Sequence, residues 1–219
     1  MCRTAGAGRL SSRPRFAEAG TRAGNVRWRI LSVIRLGGAT WRRRQRRWCG
    51  SGARPACRPW FNGGDAFDRE CESRFLQAHL LAARRGSEDW LQSAEGALAL
   101  LLLLDQIPRN IFRGSGHAFA TDGLARHYAD RALAAGHDAA VEPALRAFFY
   151  MPFEHSEALA DQHRAVELFA APGMEAFAAY ALAHRDVIAR FGRFPHRNRA
   201  LGRQSTPEEQ AWLDTGGGF

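Results

Sequence analysis

The chain has 219 residues, room for one sizeable domain with an appendage. Its net charge of +9 and pI near 10.7 would normally direct attention to nucleic acid or an anionic membrane. The charge is not evenly spread, however: residues 1–59 hold 15 arginines against one acid, Glu18, for +14, whereas residues 60–219 hold 16 arginines against 21 acids, for −5. The larger part is mildly acidic, which excludes a generally basic binding surface there and leaves only local clusters of arginine as cationic sites.

The 31 cations are all arginine, which with abundant Ala and Gly reads as coding bias. Residues 1–59 scatter Gly, Ser, Pro and Arg with no sustained helical or strand period, so the segment is not expected to pack alone. Three readings stand for it. Trp41 to Trp48, two indoles around five arginines, suits a nucleic-acid arm. The acid-poor composition suits a transit peptide. It also suits out-of-frame translation of GC-rich DNA. Cys2, Cys49, Cys57 and Cys71 form no CxxC pair and no zinc spacing, and with only one cysteine after residue 60 a reducing cytoplasm is the expected compartment. The longest apolar run, residues 97–104, is eight residues, far below the roughly 20 that span a bilayer. No membrane association is expected.

From Trp60 the pattern becomes helical. Residues 65–85 place Phe67, Cys71, Phe75 and Leu76 on one stripe, with Gly86 as the stop. Ser93 caps a second helix through the Leu run to Gln106, with Pro108 as its terminator. The third, residues 118–135, is predicted to turn Leu124, His127, Tyr128 and Leu133 inward and to end at Gly136. A short helix over 141–150 is expected to close at Pro152, and helices over 156–170 and 174–191 are separated by Pro172-Gly173. Thr206-Pro207-Glu208-Glu209 supplies a cap, a first-turn proline and a box-completing glutamate for a last short helix. No segment alternates like a strand, so the fold is predicted all-α, an antiparallel bundle or stacked helical hairpins over 60–219.

Three strings carry more polarity than packing requires. The first runs from Leu104 to Gly114 and holds Asp105, Gln106, Arg109, Asn110 and Arg113. The second, residues 149–157, holds Glu154, His155 and Glu157 among aromatics. The third comprises His184 and the stretch from Arg190 to Arg203, with Arg193, His196, Arg197 and Asn198.

These strings, with Trp60-Phe61, Phe67-Asp68, residues 118–122 and the LGRQSTPEE run, resemble the signature of the largely bacterial family known as domain of unknown function 924. The resemblance covers essentially all of 60–219 and implies a tetratricopeptide-like helical fold without an established activity or cofactor. One departure stands out: members of that family usually carry a DFWF-like aromatic helix some 20 to 40 residues before the WF, and Ile30 to Ile34 is the nearest apolar patch here.

The leading functional expectation is a pocket that binds a small anionic molecule or an acidic peptide terminus. Guanidinium forks of Arg109, Arg113, Arg193 and Arg197 would grip the anion. Asp105, Gln106, Asn110, His155, Glu157, His184, His196 and Asn198 would complete the site, and Phe148, Phe149, Tyr150, Phe153, Phe191 and Phe194 would line it. Against this stands internal pairing of the arginines with Asp105, Asp122, Glu154 and Glu157. A second class is a hydrolase or lyase using Glu154 or His155 as acid/base; a third is nucleic-acid binding by residues 1–59. The histidines lack HxxxH or HExxH spacing, so neither a metal nor another cofactor is expected.

Overall fold

A computed structural model of the protein describes residues 64–219; the leader and Trp60-Phe61 lie outside the described residues. Among the described residues the protein is all-α, without a strand. Helix α1 (Gly64–Ala83) buries Cys71, Phe75, Ala78, His79 and Ala82, one stripe at three- and four-residue spacing. Phe67 and Leu76 lie at its half-buried margin. The stop is made differently from the expectation. Arg85 takes the left-handed conformation (φ 61°), and the Gly86 amide closes a six-residue turn on the Leu81 carbonyl at 2.9 Å. Gly86 is needed for space, since a Cβ there would run into the Leu81 side chain and carbonyl.

Helix α2 (Ala94–Leu101) starts at Ser93, whose Oγ accepts from the Gly96 amide at 3.2 Å, as the cap predicts. Apart from the exposed Glu95 it is buried along its length, packed against α4 (Asp122–Ala134) and α5 (Pro143–Glu154). Leu98 and Leu100 to Leu104 are at most 1% exposed, so each leucine contributes about 2 kcal/mol of apolar burial. This run is the centre of the main hydrophobic core.

Pro108 does not end the helix. The chain widens into one π-turn, Leu102–Gln106, and resumes as α3 (Ile107–Ile111) with Pro108 in its first turn. The Ile107 amide reaches back five residues to the Leu102 carbonyl, which frees the Leu103 carbonyl, and Pro108 has no N–H to offer the Leu104 carbonyl. Both orphans are answered by side chains: His79 Nδ1 lies 2.8 Å from the Leu103 oxygen, and the Thr121 hydroxyl donates to the Leu104 oxygen at 2.5 Å. The bulge leaves Asp105 and Gln106 buried at its end.

After a 3₁₀ turn at Gly116–Phe119, α4 packs through Ala125, Tyr128, Ala129 and Ala132. Leu124 and Leu133 are only partly buried and His127 is exposed, so the expected inner stripe is rotated, small alanines replacing the larger residues against α2. Pro152 likewise fails to close its helix; α5 runs through it to Glu154. Helix α4 packs on α5, α5 on α6 (Leu159–Phe169) and α6 on α7 (Glu175–Phe191), while α1 packs on α3. Gly192, left-handed at φ 69°, ends α7. A 3₁₀ turn, Pro195–Arg197, follows, and α8 (Pro207–Asp214) packs on it. The capping box of α8 forms as read from its sequence.

Candidate functional site

The π-turn delivers Asp105, the end of α5 delivers Glu154 and His155, the start of α4 delivers Asp122, and the turn after α7 delivers His196 and Arg197. The three polar strings therefore meet. His155 Nδ1 lies 2.8 Å from Asp105 Oδ1, and Gln106 Nε2 donates to Asp105 Oδ2 at 2.5 Å. Arg109 Nη1 sits 3.2 Å from Asp105 Oδ1 and also donates to the Asp105 carbonyl. The same guanidinium clasps Asp122 with two bonds of 3.0 Å. Burial would raise the Asp105 carboxyl, but Arg109, then His155 and Gln106, hold it well below the usual carboxylate range.

Arg197 is 6% exposed, its guanidinium 4.6 Å from the Phe119 ring centroid and 4.4 Å from that of Phe194. Its hydrogen bonds leave from Nη1 alone, to the His155 carbonyl at 3.0 Å and Asp122 Oδ2 at 3.5 Å; among the described residues Nε has no partner. Burial, then the charge of Arg109, lower its pKa to about 10, so it stays cationic at neutral pH.

Three imidazoles surround this cation. Burial first, then Arg109, push His155 below its ordinary value against the pull of Asp105. His184, with Nδ1 at 2.8 Å from the Tyr180 carbonyl and 3.4 Å from Glu154 Oε1, is pushed down to about 3 by burial and then by His155. His196 falls to about 4 through burial and then Arg197. All three are neutral at pH 7. The rings of His155 and His184 are 6.4 Å apart, and those of His196 and Phe194 5.5 Å. Among the described residues no three His, Cys, Asp or Glu side chains converge as metal ligands.

The other sequence candidates serve the frame. Glu157 accepts from the Phe194 amide at 2.8 Å and from Arg203 through two bonds of 2.7 and 2.9 Å. Burial opposes its ionisation, yet Arg203 and the Phe194 amide keep its pKa low. Arg193 clasps Glu209 at 2.6 and 2.8 Å, and Asn198 Nδ2 donates to the same glutamate at 3.2 Å. Arg193 leads the contacts that hold Glu209 down to about 2. Arg113 lies apart, clasping Asp68 at 2.7 and 2.9 Å beside Asn110, where a hollow of about 310 Å³ runs between α1 and α3. The expectation that four arginines converge on one anion is thus corrected: Arg109, Arg113 and Arg193 are each clasped by a carboxylate through two nitrogens, and Arg197 alone of the four is not, its buried Nε lacking a partner among the described residues. The aromatic lining is corrected too. Phe148, Phe149, Tyr150 and Phe153 belong to the main core, Phe191 packs with Trp212, and Phe194 alone of the six reaches the histidines.

Phe119, Thr121 and Phe219 were not singled out as site residues from the sequence. Phe119 and Thr121 stand in a run that marked the family resemblance, whereas Phe219 follows three glycines that give no signal of where its ring would sit.

The comparisons agree with the fold and leave the chemistry open. Among curated proteins none matches the chain. The solved structure of a protein of unknown function, ATU0120, from Agrobacterium tumefaciens is similar at 45% sequence identity and a TM-score of 0.70, over 84% of this chain and 98% of that one. The family model described as "Bacterial protein of unknown function (DUF924)" matches residues 44–217, and this chain belongs to that family.

Proposed function

We propose that the cluster around His155 is a small-molecule site in which Arg197 holds an anionic group of the ligand and His155 exchanges a proton with it. The observation that carries this is the asymmetry of Arg197. Its neighbours Arg109 and Arg193 bind carboxylates through two nitrogens each, while Arg197, 6% exposed, bonds only through Nη1 and keeps Nε unpartnered. The Nε–Nη2 edge of a guanidinium is the geometry that receives a carboxylate or phosphate side-on. A buried cation with an unfilled donor is costly unless something else completes it.

A catalytic role, as in a hydrolase or lyase, is favoured by the Asp105–His155 pair. A carboxylate on Nδ1 fixes the imidazole's tautomer and leaves Nε2 with the lone pair that accepts a proton, and His155 is neutral at pH 7 as a base must be. Glu154, buried beside His184, is the second candidate for proton transfer.

The test is a thermal-shift screen of carboxylated and phosphorylated metabolites. A ligand at a hundred times its Kd stabilises by about 2.7 kcal/mol, which raises Tm by several degrees in a domain of this size. Arg197→Lys, which keeps the charge and loses the fork, is expected to abolish the shift, and Arg193→Ala to retain it. No response in the wild-type protein, or equal loss in both variants, would remove the proposal.

A further inference from the structure

Beyond α8 the chain turns back on itself. The Gly216 and Gly217 amides bond to the Leu213 and Trp212 carbonyls, both at 3.0 Å, and Gly216 sits at φ 84°. A Cβ at Gly217 would collide with the Trp212 indole and carbonyl, so only glycine permits this fold-back. It carries Phe219 onto the histidine cluster. The Phe219 ring stacks on His184 with centroids 3.6 Å apart and planes 13° from parallel, and meets Phe194 and His196 edge-on at 6.1 and 5.8 Å.

Two features distinguish this contact from ordinary core packing. Phe219 is 52% exposed, so the ring lies over the histidines without being enclosed by them. Beneath the fold-back, where a Cβ added at Gly218 would just touch its Cβ, His196 keeps a buried Nδ1 that has no hydrogen-bond partner among the described residues. A phenyl ring has no hydrogen-bonding group for that nitrogen; a heteroaromatic ring, through an N–H or a ring-nitrogen lone pair, does.

Resting on the ligand site proposed above, we infer that the face of His184 covered by Phe219 is a subsite for a planar, preferably heteroaromatic, ring of the ligand, and that Phe219 occupies it until such a ring displaces it. The ligand class is then an aromatic anion, its ring on His184 between Phe194 and His196 and its charged group on Arg197. The occupying side chain lowers the apparent affinity by the fraction of molecules in which the subsite is open. An aromatic stack of ordinary strength makes that fraction about one in three to one in ten.

The experiment uses the full chain, wild type and Phe219→Ala, with neutral indole as probe and the ring protons of His184 followed by NMR; circular dichroism checks the fold. Indole is expected to shift the His184 signals in both proteins, at about three- to tenfold lower concentration in Phe219→Ala. An identical concentration dependence in the two proteins, or no His184 response to indole in folded Phe219→Ala, would overturn the inference. Indole-3-carboxylate separates this inference from the anion site. If indole binds as expected but the carboxylate adds nothing, and Arg197→Lys has no effect, the anion reading fails and the ring subsite stands.

Discussion

Two arginine–carboxylate centres stand side by side in this protein and are built on opposite principles. Around Glu209 every polar group is reciprocated: Arg193 fills both carboxylate oxygens, Asn198 adds a third bond, the Thr206 amide a fourth, and Thr206 returns a cap to the Glu209 amide. Together with the Glu157–Arg203 pair, this centre fixes the chain between α7 and α8. Around Asp105 and Asp122 the accounting does not close: two carboxylates serve two guanidiniums and an imidazole, with the Arg197 Nε and the His196 Nδ1 left over. Reciprocated charge is what a loop staple requires. Buried polar atoms left without partners, with neutral imidazoles beside them, are what a ligand would complete.

The largest effect expected from this contrast is on stability. Asp105→Ala leaves the buried His155 Nδ1 without its acid and Asp122 alone to answer both Arg109 and Arg197, and removal of one partner from such a buried network costs about 3–5 kcal/mol. Glu209 is itself buried, but its partner Arg193 has a side chain 29% exposed that can turn to water, and Glu209→Ala is expected to cost about 2 kcal/mol. Urea denaturation of the two variants measures both. Equal losses would mean that the two centres do the same structural job.

Acid titration sharpens the contrast further. The folded-state pKa values of about 3 for His184 and about 4 for His196 lie below the roughly 6.5 of an unfolded histidine. The unfolded chain therefore takes up these protons first, and stability falls as pH drops through 6.5 towards 4. Asp105 and Glu209 are lowered too, but from an unfolded carboxylate value near 4, so their contribution is intact above about pH 4 and is lost only below it. Between pH 6.5 and 4.5, at about 1.4 kcal/mol per pH unit, His184 alone accounts for roughly 2–3 kcal/mol. His184→Phe, which keeps an aromatic face and cannot titrate, is expected to reduce the loss across that window by about that amount, His155 and His196 keeping their share. A wild-type stability that is level down to pH 4.5 would contradict the buried, neutral state of the cluster.

Much of the scaffold is legible in the sequence because its signals are local. The Thr206 box, the Ser93 cap and the glycines at 136 and 192 act within one helical turn of themselves, and each works as its residue type predicts. The two prolines mislead for the opposite reason. Pro108 is tolerated because His79 and Thr121, 29 and 13 residues away, supply donors to the carbonyls that the π-turn and the proline release. The meeting of the three polar strings is likewise readable from their shared excess of charge. Which arginines have filled forks is not, because Arg113 finds Asp68 across 45 residues and Arg193 finds Glu209 across 16. Arg197 looks no different from these in sequence, and only the packing of Phe119 and Phe194 on either side of it sets it apart.

The smallest expected effect tests whether the site ends where the geometry places it. Arg113 shares its string with Asp105 and Arg109, yet its side chain is 51% exposed and its acid, Asp68, lies on α1. Asp68 bonds to Arg113, and the hollow beside the pair has no lining residue in common with the histidine cluster. An exposed pair of this kind, even with two bonds, contributes about 0.2–1 kcal/mol and is screened by salt. Arg113→Ala is therefore expected to lower stability by less than about 1 kcal/mol, with the difference fading in molar salt. It should also leave any ligand-induced thermal shift unchanged. If the variant instead loses that shift as Arg197→Lys does, the anion sits in the hollow between α1 and α3, and the unpartnered edge of Arg197 must have another explanation.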